Sequence, residues 1–71
     1  MPKQILVVDD DPTLLRFFSE YLTGEGYQVI TARNGSEALR AAFQNRPDLV
    51  ILDVMMPGMD GWEVCARIRE M

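Results

Sequence analysis

A chain of 71 residues with one cysteine and no histidine has room for one domain with a modest apolar core. It lacks the thiols for a disulfide framework and the imidazoles common in zinc sites. Its formal net charge of −4, with no run of lysine or arginine, argues against direct binding to a nucleic-acid backbone or an anionic membrane surface. Hydrophobic residues at 48% and charged residues at 25% are proportions of a globular chain, not of a disordered one.

Met1-Pro2-Lys3-Gln4 runs directly into Ile5-Leu6-Val7-Val8, too short an apolar stretch for a signal peptide or a bilayer span, so a cytoplasmic location is the expectation. That run ends abruptly at Asp9-Asp10-Asp11, the pattern of a first strand buried on both faces that reaches a functional edge. Asp11-Pro12 then supplies an N-cap followed by proline at the first helical position. Leu14, Leu15, Phe18, Tyr21 and Leu22 recur at helical spacing up to Thr23, with Gly24 or Gly26 as the stop. Tyr27 to Thr31 alternates as a strand. After the Arg33-Asn34-Gly35 turn, Ser36 is placed to cap a second helix with apolar positions at Ala38, Leu39, Ala42 and Phe43, and Pro47 forbids its continuation.

Asp48 opens a third strand, Leu49-Val50-Ile51-Leu52, whose lack of alternation again implies burial on both faces, and Asp53 closes it. Met55-Met56-Pro57-Gly58-Met59-Asp60-Gly61 reads as a loop, and Asp60 with Glu63 reads as a capping box for a third helix carrying Val64, Cys65 and Ile68. The predicted fold class is therefore α/β, a βαβαβα half-domain with short connections in residues 1–71. Right-handed crossovers give a three-stranded parallel sheet in the order 2-1-3, as in flavodoxin-like sheets.

In such a sheet ligands bind beyond the carboxyl ends of the strands, where the strand order reverses. Asp9 and Asp10 follow strand one and Asp53 ends its neighbour, so three carboxylates converge there. Two like charges at about 4 Å repel by roughly 4 kcal/mol at an effective dielectric of 20, which calls for raised pKa values or a cation. A hard divalent ion fits an all-oxygen site with no imidazole or thiolate. Magnesium, held by one or two carboxylates plus a phosphate, is the natural choice and points to phosphoryl chemistry. Asp53, the solitary acid at the end of an apolar strand, is best placed as a carboxylate nucleophile forming an aspartyl phosphate.

Ile5-Leu6-Val7-Val8-Asp9-Asp10-Asp11-Pro12 resembles the opening of response-regulator receiver domains, and Pro47 through Gly61 resembles their phosphorylation-site segment. The resemblance runs over the whole chain and implies a signalling module, not an enzyme, in which a sensor histidine kinase donates a phosphoryl group to Asp53. It further implies that Asp10 ligates Mg2+ directly, that Asp9 assists through water, and that the backbone carbonyl of Met55 adds a ligand. In that family a Thr or Ser ending strand four and a Lys ending strand five relay the switch. Both would fall beyond Met71, together with strands four and five and the last helices, so signalling by this stretch alone is expected to be impaired.

With its usual neighbour missing, strand three becomes an apolar edge, and the expectation is a homo-oligomer paired through it. Two other readings stand beside the receiver. One is an idle, self-associating half-domain. The other, a short match only, is a phosphatase of the haloacid-dehalogenase type through Asp9-x-Asp11-x-Thr13. Cys65 reads as a small core or boundary residue, Trp62 as a partly buried residue at a helix start, and Met55, Met56 and Met59 as loop packing.

Overall fold

The computed structural model describes residues 3–52. Along it run β1 (Gln4–Val8), α1 (Pro12–Gly24), β2 (Gln28–Ala32), α2 (Gly35–Asn45) and β3 (Leu49–Leu52). The three strands form one parallel sheet in the order β2-β1-β3, as anticipated. Ile5 pairs with Val29 on one side and Leu49 on the other, and Val8 with Ala32 and Leu52. The third helix and its preceding loop lie outside the described residues.

Burial explains why the strands do not alternate. Leu6 and Val8 of β1 face Ala32 and the small side of α2, Ala38 and Ala42, with Ile30, Leu39, Ala41, Val50 and Leu52 around them. Ile5 and Val7 face the other way onto Leu15 of α1, with Phe18, Leu22, Val29 and Ile51 completing that layer. Helices thus cover both sheet faces, and β1, with Leu6 wholly buried and Val7 and Val8 at 1% exposure, is the centre of the molecule. A fully buried side chain of this size contributes about 1.5–3 kcal/mol relative to an exposed one, which makes β1 the main source of stability.

Helix α1 starts as its sequence suggests. Asp11 is extended at φ −91 and its side chain accepts the Thr13 N–H at 2.8 Å, while Pro12 occupies the first turn, where no N–H is needed. Its end resolves the choice between two glycines. Gly24 is still helical, whereas Gly26 takes a left-handed φ of 95. The Gly26 N–H donates to Thr23 O at 3.0 Å and the Tyr27 N–H to Leu22 O at 3.1 Å, the paired bonds of a Schellman motif. Of the apolar positions on this helix, Leu15, Phe18 and Leu22 meet the sheet, and Leu14, Phe17 and Tyr21 lie on its exposed side.

Helix α2 corrects one expectation. Its cap is Asn34, not Ser36: the Asn34 side chain accepts the Glu37 N–H at 2.9 Å, so the helix begins at Gly35. Glu37 reaches back to the Arg33 N–H at 3.2 Å and the Asn34 side-chain amide at 3.1 Å, a reciprocal arrangement of the capping-box type. Ser36 has no Glu or Gln three residues on, whereas Asn34 does. The helix ends with Arg46 in the left-handed region at φ 47, its N–H donating to Ala42 O at 2.9 Å. Pro47 disfavours the right-handed helical conformation for the residue before it, so the helix stops here. Phe43, expected on the apolar face, is 66% exposed.

Candidate functional site

The carboxyl edge of the sheet is where β1 stops being apolar. The Asp9 N–H donates to Ala32 O at 3.1 Å, carrying the β1–β2 ladder one residue past Val8 and fixing where the first acid lies. Asp9 is 8% exposed, the one buried charged residue among the described residues. Its Oδ1 accepts the Asp11 N–H at 3.0 Å, which ties the turn to the strand end. Asp10 is exposed. Asp11 is occupied as the α1 cap through its Oδ1.

Three consecutive aspartates therefore have three different environments. Asp11 serves the backbone, Asp9 gives one oxygen to the backbone, and Asp10 makes no hydrogen bond among the described residues. No basic side chain among the described residues pairs with Asp9 or Asp10; the ion pair present, Arg16 with Glu20 at 3.1 Å, lies on α1 with both side chains largely exposed. A buried carboxylate beside an exposed one, with no cation paired to them among the described residues, is a donor set of hard oxygens suited to a divalent ion such as Mg2+. Among the described residues no three acidic, histidine or cysteine side chains converge as a metal cluster. The other two expected ligands, Asp53 and the Met55 carbonyl, lie outside the described residues, as do Trp62 and Cys65.

Strand order puts the crevice here. The chain passes from β1 to β2 on one side and then to β3 on the other, so the order reverses at β1, the position at which open parallel sheets bind ligands. A pair of bonds at the opposite end was not anticipated. The Gln4 N–H donates to Asp48 Oδ2 at 2.8 Å, and the Asp48 N–H donates to Gln4 O at 2.8 Å. Only the order of the strands could have suggested it, because the two residues are 44 apart in sequence.

An α/β unit with a 2-1-3 parallel sheet and acids on its carboxyl edge is the flavodoxin-like class that these elements define. Residues 5–71 match the family model described as "Response regulator receiver domain", and the chain belongs to that family. It is 49% identical over 70 residues to the alkaline phosphatase synthesis transcriptional regulatory protein PhoP of Bacillus subtilis, covering 99% of this chain and 29% of that protein.

Among solved structures it resembles the response regulator TrrA of Thermotoga maritima in complex with Mg(2+)-BeF, with a TM-score of 0.88, 51% identity, and coverage of 96% of this chain and 59% of that one. TrrA has also been solved in complex with the histidine kinase ThkA. The chemotaxis protein CheY4 of Vibrio cholerae superposes with a TM-score of 0.94 at 38% identity, over 99% of this chain and 58% of that one. The chain thus spans about three-fifths of these solved chains and under a third of PhoP. Membership of this family leaves the short haloacid-dehalogenase motif without support, and Asp11 and Thr13 of that motif are engaged in the helix cap. Among the described residues no helix is long and apolar enough to cross a membrane.

Proposed function

We propose that this chain is the leading part of one receiver domain, residues 1–71, working in the cytoplasm as a phosphoacceptor for a sensor histidine kinase. Asp53 is the nucleophile: a carboxylate oxygen forms a bond to phosphorus as the bond to the donor breaks, leaving an aspartyl phosphate. Mg2+, when bound, supplies charge neutralisation for the phosphoryl oxygens. Asp10 is its direct carboxylate ligand, Asp9 acts through water, and Asp53 and the Met55 carbonyl complete the protein's share.

The observation that carries this reading is the buried, backbone-anchored Asp9 beside the exposed Asp10 at the edge where strand order reverses. The β1–β3 ladder gives further support: Val8 and Leu52 form its last pair among the described residues, and Asp9 and Asp53 follow them directly in sequence. The TrrA complexes, one with Mg(2+)-BeF and one with a histidine kinase, make the same ion class and partner class reasonable for a chain 51% identical to it.

The test is the intact mass of the chain after incubation with Mg2+ and acetyl phosphate. One phosphoryl adduct that is absent from Asp53→Asn is the expected outcome. No adduct in a sample shown to be folded would refute phosphoacceptance by this chain.

A second reading is favoured by a separate observation. Leu49, on the strand that forms one edge of the sheet among the described residues, is 54% exposed, and Phe17 and Tyr21 are 61% and 59% exposed. Among the described residues β3 has a strand on one side only, and an apolar edge of that kind pairs readily with a second copy, so we propose that the chain also self-associates through β3. A monomeric mass by light scattering at micromolar concentration would refute it.

A further inference from the structure

The apolar residues that pair β1 with β3 do not by themselves fix the register of that ladder. Ile5-Leu6-Val7-Val8 and Leu49-Val50-Ile51-Leu52 are apolar at every position, because both faces of this sheet are covered. A strand with one wet face resists slipping, since a one-residue slip would bury its polar side chains. Here the apolar residues themselves do not distinguish one pairing from another, and only the polar residues flanking the two runs, Gln4 and Asp48 before them and Asp9 after β1, mark the register. Yet register decides the geometry of the site. At about 3.3 Å of rise per residue, a two-residue slip keeps every side chain on its face and carries the end of β3 roughly 6.6 Å along β1.

Something at the strand ends must choose the register, and the structure shows one candidate. Asp48 and Gln4 clasp each other: the Asp48 carboxylate accepts the Gln4 N–H and the Asp48 N–H donates to the Gln4 carbonyl, both at 2.8 Å. Among the described residues this is the only side-chain hydrogen bond joining residues more than four apart in sequence. By contrast, β2 is held to β1 at its two ends through backbone bonds alone, Gln28 N–H to Lys3 O at 2.9 Å and Asp9 N–H to Ala32 O at 3.1 Å. Pro47, immediately before Asp48, has a fixed φ and no N–H of its own, so the clasp begins at the first residue able to make it.

We infer that Asp48 is a positioning residue: it sets the β1–β3 register from the amino end of the sheet and thereby sets where Leu52, the residue before Asp53 in sequence, reaches the edge that carries Asp9 and Asp10. It touches neither metal nor phosphoryl group and acts through the strand. The inference rests on the phosphoacceptor reading for its consequence, but the register itself is measurable without it.

The experiment uses the whole chain, isotope-labelled for NMR, as wild type, Asp48→Ala and Asp48→Asn, the last keeping an acceptor oxygen. Two quantities are read on the folded-state resonances: cross-strand contacts of the Ile5–Leu49 and Val8–Leu52 pairs, and the dissociation constant for Mg2+. Asp48→Ala is expected to lose or mix the native cross-strand contacts and to weaken Mg2+ about tenfold, the scale of indirect effects on metal sites. Asp48→Asn should restore both to near wild type.

A purely stabilising role would leave the folded-state Mg2+ constant unchanged, so native contacts with unchanged affinity in Asp48→Ala would overturn the inference. Weakened Mg2+ with the register intact would overturn it too. Should Asp48→Ala not fold, hydrogen exchange at the Gln4 amide of the wild type decides, since an unprotected amide there removes the clasp. A wild type that takes no Mg2+ would sink the metal reading alone, while the cross-strand contacts still judge Asp48.

Discussion

Replacing Asn34 by alanine tests the helix cap that the sequence assigned to the wrong residue. The change removes the acceptor of the Glu37 N–H, at 2.9 Å, and the amide that holds Glu37 Oε2, at 3.1 Å, leaving Glu37 only the Arg33 N–H at 3.2 Å. Loss of an N-cap side chain costs about 1 kcal/mol, within a range of roughly 0.5–2. The second bond is solvent-exposed and adds a few tenths at most, so the total is about 1–2 kcal/mol. In a domain of this size each kcal/mol moves the midpoint by about 4–8 °C, giving a fall of roughly 5–15 °C in thermal unfolding followed by far-UV circular dichroism at fixed protein concentration. Asn34→Asp keeps the acceptor and should stay within about 0.5 kcal/mol, as should Ser36→Ala. A loss in Ser36→Ala equal to that in Asn34→Ala would refute the assignment of the cap. Full additivity of Asn34→Ala with Glu37→Ala would refute their reciprocal bonding.

Three further substitutions probe the frame around the site. Leu6→Ala, at a wholly buried position of the central strand, should lower unfolding free energy by about 2–5 kcal/mol in urea, enough to unfold a chain with a small core; a loss under about 1 kcal/mol would mean that β1 is not the centre of the fold. The two glycines after α1 should respond with opposite signs. Gly24→Ala adds a methyl to a helical residue with nothing within 4 Å and should gain up to about 1 kcal/mol, whereas Gly26→Ala forces a side chain into a left-handed φ of 95 and should lose about 1–2 kcal/mol. Equal shifts in the two melting curves would contradict the Schellman ending.

Most of the fold was legible because its signals are local. Strands buried on both faces announce themselves by uninterrupted apolar runs, and Asp11-Pro12 marks a helix start by chemistry confined to three residues. The strand boundaries came out one residue off, β1 starting at Gln4 and β2 covering Gln28–Ala32, because a ladder extends wherever a backbone partner exists, whatever the side chain. The α2 cap was misread because serine is a good cap by type. The decisive signal was Glu37 three residues after Asn34, a pairwise feature and not a property of one residue. Phe43 shows a limit of periodicity: it falls in phase with Ala38, Leu39 and Ala42, yet its side chain is 66% exposed. The Asp48–Gln4 clasp is tertiary and leaves no trace in the spacing of either segment.

Asp9, Asp10 and Asp11 are chemically identical, and position alone assigns them different work. The central strand cannot carry a charge in its interior, since neither face meets water, so the first acid can fall only where the strand ends. There the ladder still holds the backbone of Asp9 through Ala32, which buries its side chain and commits Oδ1 to the turn. One residue later the chain has left the sheet, and the Asp10 carboxylate faces solvent with no hydrogen bond among the described residues. One residue later again the backbone must start a helix, and the Asp11 carboxylate is spent on the Thr13 N–H. A strand end, a turn and a cap in three residues thus yield an anchored carboxylate, an accessible one and a structural one. The accessible carboxylate can exist beside the strand end only because the next residue closes the turn. Across the sheet, β3 is paired with β1 up to Leu52 and is likewise followed in sequence by an acid, Asp53.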